Sequence, residues 1–90
     1  MPKVTFRLFA TLRDKYGVKE LEVECDGTLR NAVEEAAKKI GKDFINEVFQ
    51  NGQVRNDRII MINGRHIQFI KNLKLKDGDV IAIFPPIAGG

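Results

Sequence analysis

Ninety residues suffice to bury one core and are too few for two, which excludes a second, separately folded catalytic domain. Hydrophobic residues at 43% and charged residues at 30% are ordinary globular values, so wholesale disorder is excluded as well. Fifteen Lys and Arg against twelve Asp and Glu leave a net charge of +3, and the bases are scattered among the acids, which argues against nucleic acid as the main partner.

No apolar run approaches membrane-spanning length, and Met1-Pro2-Lys3 leads into a strand pattern without a signal-like segment. The expectation is a cytoplasmic protein with no membrane partner. Val4, Phe6, Leu8 and Ala10 alternate with Thr5, Arg7 and Phe9, the period of a strand with one buried face. Phe9 falls on the outer side, where an aromatic is either covered by a neighbouring element or offered to a partner. After Gly17, a second alternation sets Leu21, Val23 and Cys25 against Glu20, Glu22 and Glu24 and predicts an antiparallel hairpin with the first strand. Cys25 then faces the core as a small hydrophobe; with one cysteine, an intramolecular disulfide is impossible.

Asp26-Gly27 turns the chain and Thr28 is a suitable N-cap. Leu29, Ala32, Val33, Ala36, Ala37 and Ile40 recur at steps of three and four, which predicts a helix with one apolar face, small enough in its alanines to lie close across a sheet. Glu34 and Glu35 stand four residues before Lys38 and Lys39, and Gly41 supplies the stop. Asp43 is placed to cap a short helix through Phe44, Ile45, Val48 and Phe49, ended by Gly52, and the polar run 50–58 reads as a surface loop. Ile59 to Ile62 form a buried strand, Asn63-Gly64 predicts a type I′ turn into Arg65-His66-Ile67, and Leu73-Lys74-Leu75 alternates again. Asp77-Gly78-Asp79 is a further turn. It delivers Val80 to Phe84, whose unbroken apolar character suits a central strand covered on both sides.

The side chains announce no catalyst. The acids lie on outer faces, His66 is the only histidine and reads as a hairpin surface residue, and there is neither a GxGxxG nor a P-loop. No resident metal and no bound cofactor are expected. After Phe84 the composition changes: Pro85-Pro86 favours an extended path, and Gly89-Gly90 lacks the Cβ atoms that would keep a partner's walls from closing around the backbone. Such an arm suits a peptide threaded into another protein's active site, with the Gly90 carboxylate as the reactive group. Read from its residues alone, it is equally a frayed terminus. The chain thus divides into a domain, 1–84, and an extended, flexible tail, 85–90.

Phe6-Arg7-Leu8-Phe9-Ala10-Thr11-Leu12-Arg13, the helix led by Thr28-Leu29, Ile62-Asn63-Gly64, and above all the run from Asp77-Gly78-Asp79 through Pro85-Pro86-Ile87-Ala88-Gly89-Gly90 resemble the MoaD/ThiS family of ubiquitin-like sulfur carriers. Among its members the molybdopterin synthase small subunits are the more similar. Ile87 departs from the valine common there, and 42–58 is longer than in the shorter bacterial members.

The resemblance implies an α+β fold, a β-grasp of ubiquitin-like type with a mixed sheet and one main crossover helix. It also implies a cycle in which an E1-like adenylating enzyme spends ATP with magnesium to adenylate Gly90. A sulfur donor then leaves a thiocarboxylate, and a MoaE-like large subunit of molybdopterin synthase uses that sulfur to build the pterin dithiolene. Carried over by residue, Gly90 is the acyl carrier, Gly89 gives clearance, and Pro85 and Pro86 direct the tail through Ile87 and Ala88; Phe9, Phe84 and Ile87 are candidates for apolar docking contacts, with plain core packing the alternative and the favoured one for Phe84. The same fold and tail also suit a protein modifier joined through Gly90 to lysines, a thiamin-type sulfur carrier, or an interaction module with an inert tail.

Overall fold

The alternation of Val4, Phe6 and Leu8 with charged and polar neighbours builds β1 (Lys3–Leu8), and the glutamate-faced alternation builds β2 (Glu20–Glu24) antiparallel to it, with Val4 opposite Val23 and Phe6 opposite Leu21, in the computed structural model of the protein. Residues 1–86 are described; Ile87, Ala88, Gly89 and Gly90 lie outside the described residues.

The predicted helix is α2 (Leu29–Ile40), with Leu29, Ala32, Val33, Ala36 and Ala37 buried. The Thr28 hydroxyl accepts the Asn31 amide at 3.1 Å, satisfying one of the donors that a helix start leaves free. β5 (Ile59–Ile62) and β6 (Arg65–His66) flank the Asn63-Gly64 turn, where φ of 53° and 85° fits the type I′ geometry predicted. β7 (Val80–Phe84) runs parallel to β1 and antiparallel to β5, giving the order β2-β1-β7-β5-β6. One face of this mixed sheet presents Val4, Phe6, Leu8, Val23, Ile60, Ile62, Ile81 and Ile83 to the core beneath α2.

Several local expectations are corrected. The first strand stops at Leu8, because Ala10 takes φ 52° and ψ −128° and turns the chain into a helix, α1 (Thr11–Tyr16), that the alternation through Ala10 concealed. That backbone region suits glycine and strains alanine. Ala10→Gly is therefore expected to stabilise the protein by about 1 kcal/mol, strain relief outweighing the unfolded-state entropy of glycine, as a rise in the urea midpoint; a fall would mean that the strain is already absorbed. The run 50–58 is not wholly a loop: β3 (Phe49–Gln50) and β4 (Gln53–Val54) form a separate hairpin around Asn51-Gly52, at φ 54° and 78°. The helix before it forms but is shorter than predicted: α3 (Phe44–Val48) stops before Phe49, which opens β3, and Asp43 makes no side-chain cap and instead pairs with Lys15 at 2.9 Å. Of the helix pairs, Glu35 meets Lys38 and Glu34 meets Arg30, while Lys39 reaches the Glu22 carbonyl. Ile67 leaves the strand for a single 3₁₀ turn, Ile67–Phe69, and residues 73–75 pair with no strand, although Leu75 is buried.

Cys25 is buried in the core, as its strand position predicts. Cys25→Ser is expected to remain folded and to lose about 1–2 kcal/mol, because a hydroxyl replaces a thiol in an apolar site. A stability loss well above that range would show that the thiol's packing matters more than its polarity.

Candidate functional site

The feature to be explained is the segment after β7, and the sheet fixes where it begins. β7 lies between β1 and β5, so its direction is held by two ladders. Its entry is held by the predicted acidic turn. The Asp77 carboxylate accepts the Lys3 amide at 2.9 Å, and the Gly78 amide donates to the Lys3 carbonyl at 2.8 Å. Asp79 accepts the Lys76 amide at 2.8 Å through Oδ2 and the Asn63 side-chain amide at 2.9 Å through Oδ1. Asn63 in turn accepts the Val80 amide through Oδ1 and donates its own amide to the Val80 carbonyl at 2.8 Å. The Asp-Gly-Asp motif and the Asn-Gly hairpin are thus one hydrogen-bonded clamp. It fixes the register of β7, and with it the point at which Pro85-Pro86 leaves the sheet.

Where the strand ends, Phe84 stacks on Phe9 with ring centroids 4.3 Å apart and planes 13° from parallel. The Arg7 and Arg13 guanidiniums lie 5.4 and 5.8 Å from the Phe9 ring centre, within cation–π range. Phe9 is half-buried, covered by Phe84 on the side of the sheet away from α2. Phe84 is half-buried too and belongs to that outer face, not to the core beneath α2, since β7 buries only Ile81 and Ile83. The last strand is thus central, between β1 and β5, as expected, but only its face beneath α2 is fully buried. Pro85 is half-buried and Pro86 exposed, so the chain quits the sheet beside this stack.

The outer face continues the apolar surface. Ile59 pairs with Phe84, Met61 with Ala82, and His66 with Met61. Ile59 and Phe69 are 45% and 63% exposed. The cationic rim of Arg7 and Arg13 and the exposed Ile59 and Phe69 were not picked out from the sequence. The period-two pattern through Arg7 placed that side chain outward, but nothing in the spacing brought it to the tail's root. His66 stands in the hairpin as expected, its Nδ1 accepting the Gln68 amide at 3.1 Å. Ile87, Ala88, Gly89 and Gly90, the other site residues expected, lie outside the described residues.

A second polar assembly lies around α1 and α3. Lys15 bridges Asp43 and Glu47 at 2.9 and 2.8 Å; Glu47 also holds the Arg58 guanidinium at 3.1 Å, and Asp57 holds Arg55 at 2.8 Å. Burial works to raise the Glu47 carboxyl, but the partners Lys15 and Arg58 outweigh it and hold it below its ordinary value; Lys15 does the same to Asp43, and Arg55 to Asp57. Carboxyls lowered in the folded state add stability above their unfolded values, near pH 4, and lose it as the pH falls through the folded ones. Glu47→Gln is therefore expected to cost about 2 kcal/mol at neutral pH, because Arg58 loses its buried partner, and to flatten the acid loss of stability below about pH 4. Urea titrations at several pH values test this; a variant whose stability runs parallel to wild type through acid would contradict it.

Among the described residues, no group of three or more His, Cys, Asp or Glu is placed to hold a metal ion, and no helix is long and apolar enough to cross a membrane. What the folded part offers is a fixed exit for the C-terminal segment, ringed by apolar and cationic side chains.

A mixed sheet of this order, one long helix across its inner face, and a central last strand running into Pro85-Pro86 define a ubiquitin-like β-grasp protein. Solved structures agree: the chain matches small archaeal modifier protein 1 of Methanosarcina acetivorans with a TM-score of 0.79 and 29% identity, covering 100% of this chain and 98% of that one. It matches the putative molybdopterin converting factor, subunit 1, of Pyrococcus furiosus with a TM-score of 0.70 and 38% identity, over 97% of this chain and 100% of that one. By sequence it is 27% identical to small archaeal modifier protein 3 of Haloferax volcanii, over 98% of this chain and 99% of that protein. The ThiS family profile matches residues 6–90, and the chain belongs to that family.

Proposed function

We propose that the protein is the sulfur-carrying small subunit of a molybdopterin synthase, with the Gly90 carboxylate as its working group. The observation that carries this reading is the 38% identity, over the full length of that chain, with a protein described as a putative molybdopterin converting factor subunit, against 27% and 29% with the two modifier proteins. In the proposed cycle a carboxylate oxygen of Gly90 attacks the α-phosphorus of ATP, bound with magnesium in an E1-like adenylating partner, and pyrophosphate leaves. A sulfur donor then displaces AMP to give a thiocarboxylate, which the large subunit uses to sulfurate the pterin precursor. The carrier's own residues supply the position. The Asp77, Asp79 and Asn63 clamp fixes the strand, the Phe9–Phe84 stack fixes its end, and Arg13, beside an Arg7 already paired with Glu20 at 3.5 Å, offers positive charge at the rim to an acidic partner surface.

Reconstitution tests this directly. Thiocarboxylated protein mixed with a MoaE-like large subunit and the cyclic pterin precursor is expected to yield the dithiolene product, with two carriers consumed and two Gly90 carboxylates returned per dithiolene, one for each sulfur. No product from a folded, thiocarboxylated carrier that binds the large subunit would contradict the proposal. The relatives described as modifiers support a second reading, in which Gly90 is transferred to a lysine amine of a target protein.

A further inference from the structure

The chain contains Asn-Gly twice, as Asn51-Gly52 and Asn63-Gly64, and the fold puts both in two-residue hairpin turns. Their backbones are nearly the same: Asn51 and Asn63 take φ of 54° and 53°, and Gly52 and Gly64 take 78° and 85°. Their side chains are held differently. Asn63 accepts the Val80 amide at 2.9 Å through Oδ1 and donates through Nδ2 to Asp79 Oδ1 at 2.9 Å. Asn51 is exposed, and its side chain makes no hydrogen bond among the described residues. Asn51 also closes a separate sheet of two two-residue strands, whereas Asn63 joins β5 to β6 in the main sheet, beside β7.

An Asn-Gly pair carries its own chemistry. The glycine amide nitrogen, once its proton is lost to solvent base, attacks the asparagine side-chain carbonyl carbon, and glycine has no Cβ to obstruct the approach. The new C–N bond closes a five-membered succinimide, and the side-chain nitrogen leaves as ammonia. One water then opens the ring at either carbonyl, leaving aspartate or isoaspartate. To bring the two atoms together the asparagine must rotate its side chain and its ψ out of the hairpin geometry, so the rate follows the cost of opening the turn.

We propose that Asn51-Gly52 is a site of spontaneous deamidation in the folded protein, and that Asp79 and Val80 protect Asn63-Gly64 from the same reaction. Opening the first turn disturbs a two-rung ladder; opening the second must also break two side-chain hydrogen bonds to β7 and its entry turn. At Asn63 the product would set a carboxylate against Asp79 and remove a donor from the clamp that places the C-terminal segment. At Asn51 it adds a negative charge to the 42–58 segment and leaves β7 untouched.

The test is peptide mapping by mass spectrometry of the full chain held in mildly alkaline buffer, reading at each site the exchange of an amide –NH₂ for –OH. Conversion at Asn51 is expected to run at least about tenfold faster than at Asn63. In concentrated urea the two rates should come within a few-fold of each other. Asp79→Ala, which removes one of the two bonds, is expected to speed conversion at Asn63 and leave Asn51 unchanged. Equal rates in the folded chain, faster conversion at Asn63, or a tenfold difference that persists in urea would overturn the proposal. So would an Asn51 that survives in the folded chain for as long as Asn63 does, or an Asn63 rate that a folded Asp79→Ala leaves unaltered.

Discussion

A chain carrying one extra residue after Gly90 is expected to melt at the wild-type temperature and to fail completely as a substrate for adenylation. β7 ends at Phe84, well before the added residue, so the described core and sheet are complete without it. The reacting carboxylate, however, moves outward by one residue length, about 3.5 Å, and misplacement of a reacting group by about 1 Å already costs on the order of a hundredfold. In the proposed cycle the side-chain-free Gly89-Gly90 end would also pass through a partner's channel shaped for backbone alone. Pyrophosphate exchange with the activating enzyme, beside a thermal melt, reads both quantities. Exchange at the wild-type rate would show that activation does not require the carboxylate at the Gly90 position and would contradict the positional argument.

Phe44→Ala is expected to cost about 3–5 kcal/mol, the usual range for truncating a buried aromatic. Phe44 is fully buried and holds the underside of the fold together: Phe6 of β1 meets it edge to face at 5.7 Å, and Tyr16 of α1 at 5.5 Å. A domain of this size has about 5–13 kcal/mol in total, so the variant loses a large share of its margin. The melting temperature should fall on the order of 20 °C. A shift of only a few degrees would mean that α3 and the 42–58 segment pack on a core that is complete without them.

These two expectations sit at the two ends of what could be read from residues. β1 and β2 were legible because they are long enough to show period two, β7 because its apolar run is unbroken, and α2 because six apolar positions repeat at helical spacing. α1 was not, since six residues starting beside a strained Ala10 carry no helical face of their own, with only Leu12 buried. The β3–β4 hairpin was missed although Asn51-Gly52 carries the same turn signal as Asn63-Gly64. Two-residue strands cannot display alternation, so the turn stood without its flanks.

The site divides in the same way. The Asp77-Gly78-Asp79 turn and the Pro85-Pro86 segment stood out as motifs, but that Asn63 ties the turn to β7 follows from strand order, which places residues sixteen apart within hydrogen-bond reach. Phe9 was ambiguous because its covering residue, Phe84, is distant in sequence and adjacent only once β1 and β7 lie parallel. The Lys15, Glu47 and Arg58 network joins three elements, and no spacing announces it.

The most direct test of the central claim is mass spectrometry of the C-terminal peptide, beginning at Asp77, from protein isolated from its own cells. A mass gain equal to the exchange of one oxygen for sulfur at Gly90 is the predicted result. Gly90 found only as a free carboxylate in cells making the pterin cofactor, or only joined to lysines of other proteins, would contradict it.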